Sequence, residues 1–206
     1  MTMDAIKTLT AIATAAMQPL AKAGGFKKKE LTWRRRHGET LQVLNVQRSH
    51  GNTASEARCY VNVAIAFDAL YRLENEPVPE APREHECHFR ERMEDLVAGA
   101  PSNWSVDAST DEAELTERLA ADLARVAAFL DAVDGPAKLL RHQALDHGAQ
   151  LFLRAQLRYV TGDRDGALAD VRRGVKFFAD RGLTLERQLR ELHLTPLASR
   201  STAPSK

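Results

Sequence analysis

Residues 25–67, GFKKKELTWRRRHGETLQVLNVQRSHGNTASEARCYVNVAIAF, decide the fold. Within residues 26–36, Leu31 and Trp33 fall on one side and Thr32, Arg34 and Arg36 on the other, the period-two alternation of a strand with one wet face. His37-Gly38-Glu39 reads as a short turn, and residues 41–49, rich in Leu and Val, as the strand that pairs back across it. The polar run at 49–53 breaks the pattern. Cys59, Val61, Val63, Ile65 and Phe67 then alternate with Tyr60, Asn62, Ala64 and Ala66, which gives a third strand a clear core face.

Parity fixes which side chains share a face. With Val61, Val63 and Ile65 inside, Tyr60 and Asn62 point away. Placing Leu44 and Val46 inside sends Asn45 and Gln47 outward. A second sheet face then carries Arg34, Arg36, Asn45, Gln47, Tyr60 and Asn62, joined by Arg90 and Arg92 from the strand expected near residue 88. Arginine, carboxamide and phenol donors together suit a carboxylate, a phosphate or a peptide backbone. The same residues also suit an ordinary half-solvated sheet, or a face hydrogen-bonded to a covering loop.

Gly25-Phe26-Lys27-Lys28, Thr32-Trp33-Arg34-Arg35, Val46-Gln47-Arg48-Ser49 and Tyr60-Val61-Asn62-Val63 resemble a bacterial family of unknown function, the one numbered 4304. His88-Phe89-Arg90-Glu91-Arg92 and Trp104 continue the resemblance, which covers most of the chain. It implies a helix followed by an antiparallel sheet and then helices. It brings no established reaction, so no catalytic residue is carried over. The loop around Pro77, Pro79 and Pro82 is longer than the family pattern.

Outward from the sheet, Ile6, Leu9, Ile12, Ala13, Ala16 and Leu20 lie at helical spacing, and Gly24-Gly25 closes an amphipathic helix over residues 4–23. Asp4 in the leading segment argues against a signal peptide, and no apolar run approaches the roughly 20 residues that span a bilayer. Residues 68–74 extend the third strand or turn into a short helix, and prolines then mark an extended loop. His85-Glu86-Cys87-His88 groups metal-binding residue types, but no second ligand pair exists elsewhere, so no metal is expected. A short strand, with Cys87 and Phe89 on one face, is the expected structure there, and Trp104-Ser105-Val106 reads as another.

From residue 111 the period becomes helical, with Leu115, Leu119, Leu123, Val126, Phe129, Leu130 and Val133 as the apolar stripe and Ser109 or Thr110 as the expected N-cap. Gly135-Pro136 ends this helix, and a shorter one is expected through about His147. Ala155, Gly162, Ala167 and Val171 are spaced as in one tetratricopeptide-type helical hairpin. Without a second copy it reads as a helix pair that closes the domain. A last helix is expected at 183–192 and a disordered tail from 195. The fold class expected is therefore α+β, with an N-terminal helix, an antiparallel sheet of four or five strands over residues 1–108, and a helical section over 109–194, the two forming one cooperative domain.

The chain has 206 residues and a formal charge of +1, a total that hides polarity. Residues 26–58 hold eight basic side chains against Glu30, Glu39 and Glu56. Residues 74–134 reverse the balance. Two cysteines make no disulfide framework, and a reducing cytoplasm fits them. No phosphate-binding glycine loop, nucleophile elbow or paired-histidine zinc motif is present, so no cofactor is expected and a familiar enzyme is disfavoured. The expected role is a cytoplasmic protein-binding module, in one form an immunity protein that plugs a bacterial toxin, with Glu112, Glu114 and Asp122 facing the partner. The competing expectation is an enzyme or small-molecule binder that uses the face of Arg34, Gln47 and Asn62. A nucleic acid would have to lie on the basic hairpin, which lacks exposed aromatics for stacking.

Overall fold

The computed structural model describes residues 4–145 and 150–180. Helix α1 (Ala5–Gly24) starts where the Asp4 carboxylate accepts from the Lys7 N–H at 3.2 Å and ends at Gly25, in the left-handed region that glycine adopts without a Cβ clash. Leu9, Ile12, Ala13, Ala16 and Met17 form its buried face. Four strands follow as a meander: β1 (Lys27–Lys29), β2 (Thr32–His37), β3 (Thr40–Arg48) and β4 (Ala57–Phe67).

The run at 26–36, expected as one strand, divides. Lys28 pairs with Trp33 and Lys29 with Thr32, and Glu30, at a φ of 57°, makes the tight turn between them. Three consecutive lysines gave no alternation to mark the break. Their exposure on the outermost strand discourages pairing with another chain. The sheet consequently has six strands, with β1–β2 and β2–β3 paired antiparallel.

Strand β4 divides one of its edges between two partners. Its first residues pair with β6 (Trp104–Val106), Cys59 opposite Trp104, and its later residues pair with β5 (Phe89–Arg92), Ile65 opposite Phe89. The expected strand at 87–90 begins only at Phe89. Residues Glu84–Glu86 form a 3-10 turn instead, closed by the Arg83 N–H donating to the Glu86 carboxylate at 2.7 Å. After the short helix α3 (Met93–Leu96) and β6 comes α4 (Glu112–Ala132). Its cap is Asp111, whose carboxylate accepts from the Ala113 and Glu114 N–H groups, each at 3.0 Å. Ser109 and Thr110, the expected caps, instead hydrogen-bond Asp107, which is why its pKa lies below the usual carboxylate value.

The chain divides into two compact units. The first comprises Met1–Ala66 and Ala81–Ala132. In it α1 packs against α4 and β6, and Phe89 meets Phe129 at 6.0 Å between ring centroids. Trp33, Leu44, Val46, Val61, Val63 and Ile65 are buried, as parity required. The buried Arg35 ties three elements together: it donates to Gln42 Oε1 at 2.8 Å and the Gly24 carbonyl at 3.2 Å, pairs with Asp131, and stacks on the Phe26 ring.

The second unit comprises Phe67–Glu80 and Val133–Lys206. Within it α2 (Asp68–Glu74) and α5 (Pro136–Leu139) pack on α6 (Leu151–Val160), which pairs with α7 (Arg164–Ala179) across the Gly162 turn. Residues 68–74 thus take the helical alternative. The helix expected through His147 stops at Leu139, and a 3-10 turn occupies Gln143–Leu145. Gly174 lets the helices close: a Cβ there would meet Phe152 Cε1 at 2.9 Å. The helix expected at 183–192 and the tail from 195 lie outside the described residues. No helix among the described residues is long and apolar enough to cross a membrane.

Candidate functional site

The outward face of the β2–β3–β4 sheet assembles most of the residues that parity assigned to it. Asn62, 1% exposed, is the hub. Its Nδ2 donates to Asn45 Oδ1 at 3.1 Å and Gln47 Oε1 at 3.2 Å, and its Oδ1 accepts from Arg90 Nη2 at 3.1 Å. Asn45 in turn donates to Thr32 Oγ1 at 2.9 Å. Arg92, directly opposite Asn62, stacks on the Tyr60 ring at 4.6 Å from its centroid, and its buried Nη1 has no acceptor among the described residues. Arg36 shares the face further along β2, opposite Leu41. Apart from Arg92 Nη1, the polar groups around Asn62 on this face are matched to one another, the pattern of a structural network.

Its outer end differs. Arg34 Nε donates to the Pro82 carbonyl at 2.7 Å, which fastens the proline loop over the face. Between that loop and the β1–β2 turn lies a cleft of about 370 Å³, lined by Lys29, Glu30, Thr32, Arg34, Asn45, Ala81, Arg83 and Glu84. Sequence reasoning placed Arg34 and Asn45 here but missed Lys29 and Arg83. The register of Lys29 opposite Thr32 was the signal for the first, hidden by reading β1 and β2 as one strand. Nothing local in sequence brings Arg83 to this place.

On the opposite face of the same strands, α1 borders a larger cleft of about 680 Å³. Ile6, Ala11, Ala15, Ala21 and the Trp33 ring supply its apolar lining, with Lys7, Lys28 and Arg48 among its remaining residues and no carboxylate. Lys28 reaches across, donating to Thr14 Oγ1 at 2.9 Å and lying 5.4 Å from the Trp33 ring centroid. Arg48 makes no side-chain hydrogen bond or ion pair among the described residues. Pro19 within α1 leaves the Ala15 carbonyl without its usual helical donor.

The acidic candidates all lie on α4. Glu114 pairs with Arg118 at 3.9 Å and Asp122 with Arg125 at 3.2 Å, while Glu112 sits exposed in the first turn, where the helix dipole favours negative charge. Among the described residues no three histidine, cysteine or carboxylate side chains are grouped to hold a metal ion. Of the earlier cluster, His85 lies 3.8 Å from Glu84, and the Cys87 thiol points to the Arg83 carbonyl. Burial pushes the Cys87 pKa up to about 12, with Glu84 and Glu86 adding to the rise and Arg34 opposing it. Cys59, in the core, is also raised to about 12 by burial. In both, burial disfavours the thiolate form.

A family model described as a domain of unknown function (DUF4304) matches residues 17–131, more than half of the chain, taking in the end of α1, the whole sheet and nearly all of α4. No curated protein and no solved structure matches the chain.

Proposed function

Because the chain belongs to the DUF4304 family, whose description carries no reaction, we propose its role from its surface: it is a protein-binding module that seats an acidic amphipathic helix of a partner in the cleft beside α1. The observation that carries this reading is the composition of that cleft. Its floor is apolar, its charged residues are Lys7, Lys28 and Arg48, and it contains no carboxylate. A helix docked in a groove needs apolar anchors at i, i+3 or i+4 and i+7, and the rim charges set its sign and orientation. An immunity protein that neutralises a toxin by covering its active site is one concrete form of this role. Glu112, Glu114 and Asp122 then act on encounter with a partner's basic patch, since two of the three already hold arginines on α4.

Affinity capture with the wild-type chain and three variants tests the reading. Ala11 and Ala15 are exposed on α1, so Ala15→Glu alters the cleft without disturbing the core. Ala15→Glu and Arg48→Glu are expected to abolish retention of a protein that Glu112→Lys still captures more slowly. A partner retained by both cleft variants, or recovery of nucleic acid with no protein, overturns it.

A further inference from the structure

We propose that the cleft between the β1–β2 turn and the proline loop binds a small anion through a phosphoryl or carboxylate group, with Arg34, Arg83, Lys29 and Thr32 as its donors. This site lies on the opposite face of the sheet from α1 and is independent of the protein-binding reading. Three cations line it against two carboxylates. One of those, Glu84, is only 16% exposed and lies 3.9 Å from Arg90, so its charge is already answered from outside the cleft. A positive excess remains.

The donors are held in place and still available. Arg34 engages the Pro82 carbonyl through Nε alone, which fixes the guanidinium plane and leaves the two terminal nitrogens, the pair that grips a carboxylate or phosphate end-on. Arg83 makes its hydrogen bonds at the turn through its backbone, its N–H to Glu86 and its carbonyl from the Glu86 N–H, leaving its guanidinium to the cleft. Thr32 Oγ1 accepts from Asn45 Nδ2, so its own hydrogen is directed elsewhere. Lys29 stands opposite Thr32 in the β1–β2 register, on the same face. Asn45 links this end to the buried Asn62 network, which holds Thr32 in position. At about 370 Å³ the cleft takes a molecule the size of a sugar phosphate or a small dicarboxylate and leaves no room for a folded partner.

The test is thermal denaturation of the full chain titrated with inorganic phosphate and, separately, with succinate, each against sodium chloride at equal ionic strength. A ligand that binds only the native state raises the melting temperature saturably. A rise with phosphate alone assigns a phosphoryl group, a rise with succinate alone assigns a carboxylate, and either supports the site. Arg34→Lys keeps the charge but loses the fork, and is expected to weaken the apparent affinity about tenfold. Arg83→Ala changes an exposed side chain and serves as the second variant, with a melting temperature in chloride equal to wild type. Neither probe exceeding chloride overturns the proposal, as does a saturable rise that Arg83→Ala and Arg34→Lys both retain in full.

Discussion

Two buried polar clusters, one from each unit, are built from different chemistry. In the sheet unit the hub is a neutral amide: Asn62 joins Asn45, Gln47 and Arg90 through three hydrogen bonds of 3.1–3.2 Å. In the helical unit it is an ion, Asp170, 3% exposed. Arg154 grips it in bidentate fashion at 2.8 and 2.6 Å, and Arg158 adds a third bond at 2.9 Å. An ion buried with its partners gains little net stability, yet losing one partner strands the opposite charge. An amide hub risks less, because Asn62 itself carries only partial charges. The lesson is that equal burial does not mean equal fragility.

The sharpest way to break the comparison is Asp170→Asn. It leaves Arg154 and Arg158 without their shared counter-ion, and a loss of about 3–5 kcal/mol is expected, read as hydrogen exchange collapsing in α6 and α7. A loss under about 1 kcal/mol would show the ionic cluster to be no more fragile than the amide one. Asn62→Ala comes next. It leaves two carbonyl acceptors and an Arg90 N–H unpaired, and about 1–3 kcal/mol is expected in urea denaturation followed through the buried Trp33.

The smallest effect is a response to acid. Asp163 caps α7, and its pKa is lowered by the Gly166 N–H first and by Arg158 second. A carboxyl held lower in the folded than in the unfolded state contributes stability that is present above the ordinary value of 3.8 and lost as the pH falls through the folded value. Asp163→Asn should therefore flatten the decline of helical signal below that pH while leaving the Trp33 signal unchanged. A decline as steep as wild type would place the acid response elsewhere.

Helices α1 and α4 and strands β2, β3 and β4 were legible in the sequence because their apolar periods are strong, whereas the single turn of α3 gave no period to read. Ile12, Ala13 and Ala16 on α1, Leu119, Leu123 and Val126 on α4, and the alternation through Val61–Val63–Ile65 each give one reading of face and type. The break between β1 and β2 was not legible, since Lys27–Lys29 offers no period and the left-handed Glu30 is not a residue that announces a turn. Parity found the members of the Asn62 face. It could not tell whether their donors would meet one another or remain open, because that depends on register and on where the proline loop settles. Asp111 was missed as a cap because Thr110 is equally suitable in type, and only the backbone path decides between them.

The shared edge of β4 sets an order of assembly. The pairings from β1 through β4 join neighbours along the chain across short turns, such as His37 opposite Thr40 and the Ser49 N–H donating to the Arg58 carbonyl. Such contacts close small loops and zip quickly. Phe89 and Trp104 must instead find Ile65 and Cys59 from far along the chain, so their loop-closure entropy falls due before their contacts form. The meander is therefore expected to form first, with β5 and β6 docking later on its free edge. A ribosome releasing the first 67 residues has released every strand the meander requires.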